Sequence, residues 1–542
     1  MITEETGAQI ARRRTFAIIS HPDAGKTTLT EKLLLYGGAI SIAGQVAARR
    51  HARSATSDWM ALERERGISI TSTVLQFPYR EHVINLLDTP GHQDFGEDTY
   101  RTLLAADCAV MLIDAAKGVE PQTKKLFAIC RARRIPLFTF INKLDRPSRN
   151  PIDLLDELER VLGIGVVPMN WPLGNGPSFR GVYDRTTRAL HLFERTVHGA
   201  TQAPEYVTDA KDPRIESLLD EESYRAFCDE LDLLDGAGAS FDQDSFARGK
   251  TTPVFFGSAV TNFGVGLFLD AFIDLAPPPA ARTARLADGE RRIIAVDEPF
   301  SGFIFKIQAN MDPRHRDRIA FLRVCSGRFE RDMLVRNVRT GKAVRLVRAM
   351  KLFANEREVV EEGFAGDIVG LANPGTFTIG DTLVIGEQRA FDPIPTFAPE
   401  HFASVRNIDT ATYKAFVKGI AQLREEGAIQ VFYPMGSTRT EPIFAAVGAL
   451  QFEVAKYRLA SEYNVETRFT SLPYTLARRV VGEAETIARA SWPSSAKLVE
   501  DFEGVPLVFF ESEWSVRLAE EWNPQIRLVD PGEVDLPEGS AL

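Results

Sequence analysis

The chain has 542 residues, too many for one compact core, and its length predicts three or four domains. It is 44% hydrophobic and 25% charged with a net charge of −10, which suits a water-soluble globular protein and excludes a general polyanion binder. No apolar run approaches the ~18 residues of a membrane span. The polar start Met1–Arg14, with Glu4 and Glu5 ahead of the Arg12–Arg14 cluster, reads as neither a signal nor a transit peptide. The scattered Cys108, Cys130, Cys228 and Cys325 form no zinc motif and fit a reducing, cytoplasmic setting.

Residues 1–280 alternate apolar runs with helical patterns. The runs are "TFAIIS" (15–20), "VINLLD" (83–88), "CAVMLID" (108–114), "PLFTFIN" (136–142) and "PVFFGSA" (253–259). Unbroken apolarity suits strands buried on both faces of a mostly parallel sheet. Helices with charged faces, such as Pro121–Arg134 and Pro151–Leu162, fall between them. The expectation is a multidomain α/β chain that opens with a doubly wound P-loop domain. The span from Asp145 to Gly257 exceeds one crossover, so an inserted subdomain is expected at about 175–245, starting near "GVYDRTTRALHLFE".

"APPPAARTARLADGE" (276–290) reads as a linker. Short β-rich runs punctuated by glycine follow, and predict an antiparallel β-barrel over 291–391. "FDPIPTFAPE" (391–400) marks a second boundary. Over 399–525 the pattern predicts an α+β domain with an open sheet, ferredoxin-like in one arrangement: helix Thr410–Glu426, strands Ala428–Tyr433 and Pro442–Val447, helix Ala449–Glu462, strand Asn464–Phe469. The acidic, Pro/Gly-rich tail 526–542 is expected to be disordered.

The chemistry starts at "IISHPDAGKTTLTEKLLL" (18–35), which has the strand–loop–helix order of a phosphate loop. Against G-x-x-x-x-G-K-S/T it keeps Gly25, Lys26 and Thr27 but has Ser20 for the first glycine. The loop Ser20, His21, Pro22, Asp23, Ala24 and Gly25 and the positive helix end would cradle phosphates. Lys26 would reach the β and γ oxygens, and the Thr27 hydroxyl would bind Mg2+. Alone, this degenerate match could also be a coincidental strand–turn–helix.

"LLDTPGH" (86–92) follows at the end of an apolar strand. Asp88 would hold Mg2+ through water, and Gly91, after Thr89 and Pro90, would give its N–H to the γ-phosphate. A strand end with a helix cap would explain Asp88 alone but not the whole motif. "NKLD" (142–145) ends a later strand. Asp145 can accept N1–H and N2–H2 of guanine, which adenine does not offer. Asn142, Lys143 and Leu144 would hold the loop and flank the base. "GSA" (257–259) would bring the Ser258 and Ala259 backbone near the guanine carbonyl. Between the phosphate loop and Asp88 lies "ERERGISI" (63–70), where a hydroxyl could complete the Mg2+ sphere only while the γ-phosphate is present. Together these elements point to GTP.

The wording of these elements resembles the ribosome-dependent translational GTPases. "SDWMALERERGISI", "DTPGHQDF" and "HPDAGKTT" are similar to elongation factor G, as are "RGVYD", "GDIVGL" and "GALQFEVAKYRLASEYNVE" outside the site. "FKIQANMDPRHRDRIAFLRVCSG" and "EEGAIQVF" are most similar to the peptide chain release factor 3 family. The likeness spans nearly the whole chain except its last ~20 residues. An elongation or ribosome-protection factor is the alternative. The further domains of elongation factor G, expected to be missing here, argue against it.

The resemblance implies a GTPase stimulated by the ribosome, which promotes departure of class I release factors after peptide release. Its cofactors would be GTP or GDP and Mg2+; its partners the ribosome and class I release factors, with no membrane and no DNA; its form a cytoplasmic monomer. His92, one of eight histidines, would orient the attacking water. It is singled out only by its place after D-T-P-G. Asp23 falls at an acidic position that the family associates with a monovalent cation, though loop hydrogen bonding would also account for it. Ile68 would form an apolar gate near His92, or simply pack. Ser69 stands where the family carries a Mg2+-binding threonine, with Thr71 as competitor. Ser20 matches a position where relatives tolerate Ala or Ser, so Ser20→Gly is expected to leave GTP binding nearly intact. Between Lys306 and Lys351, thirteen Lys and Arg stand against four Asp and Glu. That reads as a solvated sheet face or, in the family's terms, a surface toward ribosomal RNA.

Overall fold

The computed structural model describes residues 4–40, 63, 69–194, 201–203, 205–209, 219, 221–236, 238, 240–309, 318–353 and 356–532. Most of "ERERGISI", with Ile68, lies outside them.

The first sheet has seven strands, in the order Thr73–Tyr79, His82–Asp88, Arg13–Ser20, Cys108–Asp114, Leu137–Asn142, Thr251–Phe256, Gly165–Pro168. The first pair is antiparallel and the others are parallel. The unbroken apolar runs have a simple cause. Phe16 and Ile18 face one core while Ala17 and Ile19 face the other, so every position is buried. Helices Lys26–Tyr36 and Val265–Leu275 cover one face, through Leu29, Leu33, Phe268 and Phe272. Helices Gly96–Ala105, Pro121–Ala132 and Pro151–Leu162 cover the other. Pro151–Leu162 shows why these helices start and stop where they do. Asn150 Oδ1 accepts from Ile152 N at 2.7 Å, Pro151 occupies the first turn, and Gly163 closes the helix at φ 63°.

The chain between helix Pro151–Leu162 and the strand Thr251–Phe256 adds an antiparallel sheet of four strands, Asn170–Leu173, Gly181–Asp184, Ala189–Phe193 and Glu205–Asp209. It starts at Asn170, before the 175 expected. Helices Glu221–Gly236 and Gln243–Ala247 follow.

The segment read as a linker is not one throughout. Arg282–Leu286 is the central strand of a three-stranded sheet between Arg291–Ile294 and Arg389–Phe391. Composition hid it because Ala284 is its only buried residue. Next comes an eight-stranded antiparallel sheet with a two-stranded ribbon, a half-barrel around Ile304, Leu322, Val369 and Leu383. Its long strand Ser301–Ala309 breaks register after Ser301 and Ile304, which lets the sheet coil.

The C-terminal region is one antiparallel sheet of eight strands made of two four-stranded halves. The first half carries helices Tyr413–Glu425 and Leu450–Tyr463, near the elements expected. The second carries Ala484–Arg489 and Glu513–Trp522. Within the sheet the halves join where Tyr433 and Pro434 pair with Glu500 and Val499. The tail read as disordered from 526 instead begins with a strand, Arg527–Val529, paired to Leu476–Val481 because Ile526 and Val529 bury against that half. Residues 533–542 lie outside the described ones.

The basic stretch is partly taken up by contacts, some between domains and some within the half-barrel. Lys306 Nζ donates to Ser72 Oγ at 2.7 Å and lies 3.6 Å from Asp98. Burial pushes its ammonium down despite Asp98. Arg323 pairs with Asp107 and Arg318 with Glu425. Arg328, Arg331 and Arg339 pair with Glu362, Glu361 and Asp381. Those acids lie outside the counted window, so the net excess was no measure of a basic face. Among the described residues of the stretch, Arg336, Lys342, Arg345, Arg348 and Lys351 remain exposed without an ion pair.

Candidate nucleotide site

The ends of Arg13–Ser20, His82–Asp88 and Leu137–Asn142 gather at one edge of the first sheet, where the chain leaves the central strand to either side. That is where doubly wound sheets bind ligands. A cavity of about 300 Å³ opens there, lined by residues of the three motifs at those strand ends: Ser20, Lys26, Thr27, Gly91, His92 and Asn142 among them.

Gly25 ends the phosphate loop at φ 100°, and a Cβ there would stand 2.4 Å from Asn142 Nδ2. Both facts demand glycine. Ser20 is different. It is a strand residue paired with Leu112, it is 1% exposed, and its Oγ has no hydrogen-bond partner. Asp23 has φ 67°, and its carbonyl accepts from Lys143 Nζ. His21 Nε2 lies 3.4 Å from Glu120 Oε1.

Lys26 Nζ lies 2.6 Å from Asp88 Oδ1 and donates to Ser69 Oγ at 3.1 Å. Thr27 Oγ1 and Ser69 Oγ are 3.5 Å apart. Two cis oxygens of a Mg2+ octahedron with ~2.1 Å bonds lie about 3.0 Å apart, so a small closure would bring both hydroxyls onto one ion. This hard-oxygen set fits Mg2+. Among the described residues no cluster of three His, Cys, Asp or Glu could hold a metal, so an ion here would need phosphate and water ligands as well. Thr71 is turned elsewhere: its N–H and hydroxyl donate to Glu63 Oε1 at 3.0 and 3.3 Å. Of the two hydroxyls considered from sequence, Ser69 is the one beside Thr27.

Thr89 Oγ1 donates to Ile18 O at 2.6 Å, tying the D-T-P-G turn to the central strand. Pro90 O accepts from Thr99 Oγ1 at 3.2 Å. His92 follows, its side chain 35% exposed, with Nδ1 3.1 Å from Asp94 Oδ1.

The base loop is held from three sides. Asn142 Nδ2 donates to Ala24 O at 2.9 Å, and its Oδ1 accepts from Ala259 N at 2.9 Å. Lys143 Nζ donates to Asp114 Oδ2 at 2.9 Å. Burial pushes the Asp114 carboxyl up, but Lys143 and the Ala116 N–H outweigh it and hold it low. Leu144 is buried, and Asp145 Oδ1 accepts from Ser258 Oγ at 2.6 Å. The N–H groups of Ser258 and Ala259, whose backbone is expected near a guanine carbonyl, donate to Phe263 O at 3.0 Å and to Asn142. These two residues hold Asp145 and Asn142 in place. Sequence reasoning missed Thr28, Arg146 and Val260 on the cavity wall. The position of Arg146, directly after Asp145, was the one available signal.

Comparison with known proteins agrees with this geometry. The family model "Elongation factor Tu GTP binding domain" matches residues 11–278, "Elongation factor G domain 2" residues 299–386, and "Class II release factor RF3, C-terminal domain" residues 391–520. Peptide chain release factor 3 of Gloeobacter violaceus is 59% identical over 96% of this chain and 97% of its own. That of Cyanothece sp. is 56% identical over 97% of this chain and 96% of its own. A crystal structure of a Thermus thermophilus protein superimposes with a TM-score of 0.67 at 22% identity, covering 91% of this chain and 72% of that one, and shares its fold. An end-to-end likeness at these identities, with a GTPase domain at the front and a release-factor domain at the back, places the chain in the peptide chain release factor 3 family.

Proposed function

We propose that this chain is a GTPase of translation termination. On the ribosome, its GTP-bound form promotes departure of the class I release factor that has read the stop codon, and hydrolysis to GDP lets the chain leave in turn. One observation carries the reading. A chain matched end to end by peptide chain release factor 3 relatives keeps, at one sheet edge, the groups that GTP hydrolysis needs.

The roles follow from chemistry. The phosphate-loop backbone and the start of Lys26–Tyr36 attract phosphate. Lys26 adds a buried positive charge that pairs with Asp88 until phosphate oxygens compete for it. Thr27 and Ser69 would hold Mg2+ directly and Asp88 through water; the ion, when bound, neutralises charge on the β and γ oxygens. Asp145, fixed by Ser258, accepts both guanine donors, and Asn142 keeps base loop and phosphate loop in register. His92 orients water, since this reaction needs positioning more than covalent help. Ribosome docking completes the site. Arg336, Lys342, Arg348 and Lys351 are free to meet ribosomal RNA phosphates. The chain works as a cytoplasmic monomer; none of its described helices is long and apolar enough to cross a membrane.

Single-turnover GTP hydrolysis with and without ribosomes tests this. Strong acceleration by ribosomes is expected, with GTP bound far better than ATP. Equal rates in both conditions would defeat it.

A further inference from the structure

The residue beside His92 is shared with another domain. Asp94 sits in the short turn Gln93–Phe95, and its side chain is 11% exposed. Oδ1 lies 3.1 Å from His92 Nδ1. Oδ2 accepts from Leu450 N at 2.9 Å. Leu450 opens the helix Leu450–Tyr463 of the C-terminal domain. The positive end of that helix therefore faces a carboxylate, the favourable polarity.

The seat is built for this side chain. A Cβ at Gly448 would stand 2.0 Å from Asp94 Cγ and 2.4 Å from Oδ2, so only glycine leaves room. Gln451 Oε1 accepts from Val447 N at 2.9 Å and Gly448 N at 3.1 Å. The turn before the helix is thus fixed by its own side chain, and the Leu450 N–H is left for Asp94. Next door, Phe95 packs with Ile70 and Val454, closing the contact with apolar groups.

The imidazole has two neighbours at one nitrogen. The Asp94 N–H lies 3.3 Å from His92 Nδ1, and the carboxylate 3.1 Å. A bare Nδ1 accepts from the N–H; a protonated Nδ1 donates to the carboxylate. The charged partner is the nearer and makes the stronger bond. It favours the tautomer with hydrogen on Nδ1, leaving Nε2 as acceptor on a ring that lines the nucleotide cavity.

We propose that Asp94 is a positioning residue for GTP hydrolysis. Anchored on the Leu450 N–H, it holds His92 in the Nδ1–H tautomer, so the hydrolysis rate depends on how the C-terminal domain is seated. This rests on the reading of His92 as the residue that orients water. Asp94 itself touches neither nucleotide nor water.

Two substitutions separate the parts. Asp94→Asn keeps an oxygen for Leu450 but turns an NH2 donor toward Nδ1, imposing the other tautomer. Gly448→Ala leaves Asp94 intact and pushes it off its seat. Single-turnover hydrolysis on ribosomes should slow at least ~10-fold in each. GDP affinity, which also reports folding of the site, should change less than about twofold. The double variant should be no slower than the slower single one, because both act through one contact. Wild-type rates in Asp94→Asn and Gly448→Ala, with His92→Ala slow, would overturn the inference alone. Additive losses in the double variant would also overturn it, as independent effects. Wild-type hydrolysis by His92→Ala would instead sink the reading of His92 on which it rests.

Discussion

Arg323 and Asp107 meet across the boundary between the nucleotide domain and the half-barrel, the guanidinium Nη2 lying 2.8 and 2.6 Å from the two carboxylate oxygens. The side chains are 1% and 2% exposed. A buried charge stripped of its partner costs about 3–5 kcal/mol. Arg282, 3.6 Å from the same carboxylate, would remain as a weaker partner. Arg323→Met should therefore destabilise the chain by about 3 kcal/mol in denaturant unfolding, and adding Asp107→Leu should recover part of the loss. A change below about 1 kcal/mol would mean that the pair holds nothing.

Gly25→Ala should abolish tight nucleotide binding. The substitution meets a left-handed backbone and the Asn142 side chain together. Strain of about 2 kcal/mol corresponds to at least ~30-fold in GDP affinity, read by fluorescence titration. An affinity within a few fold of the wild type would show that the loop relaxes freely.

Asp145→Asn should exchange base preference. The amide turns a donor toward guanine's N1–H and N2–H2, and it suits xanthine, whose C2 carbonyl accepts. GDP affinity should fall at least ~100-fold while xanthosine diphosphate gains. Ser258→Ala removes only the hydrogen bond that orients Asp145, and should cost about 1 kcal/mol. If Ser258→Ala proved as damaging as Asp145→Asn, the hydroxyl would be touching the base itself.

Ser20 changes its meaning with the structure. The sequence predicts a nearly silent Ser20→Gly because the position needs no left-handed backbone. That backbone is indeed a strand, but the buried Oγ lacks a partner and lies on the cavity wall. A buried hydroxyl without a bond is costly, so a phosphate oxygen is its natural complement. Ser20→Ala should weaken GTP binding by about 1 kcal/mol, roughly fivefold. Unchanged affinity in calorimetry would restore the silent reading.

What was legible in the sequence was what is local. Strand ends at Ser20, Asp88 and Asn142 follow from apolar runs that stop at polar residues, and the loops carry their chemistry in adjacent positions. Long-range pairing was not legible. Nothing near Asn142 says that its amide ties Ala24 to Ala259, and nothing near Asp94 points to Gly448 and Leu450. The pairing of the basic stretch was hidden for the same reason, since Asp98, Asp107, Glu425 and Asp381 partly neutralise it from outside the window. Weak strands failed too: Arg282–Leu286 and Arg527–Val529 bury one residue each and have no pattern to read.

The most direct test of the central claim follows a fluorescent class I release factor on a post-termination ribosome. The account predicts that dissociation accelerates when this chain is added with GTP, and not when it is added with GDP alone. A class I factor that leaves at the same rate with and without the chain and GTP would contradict it.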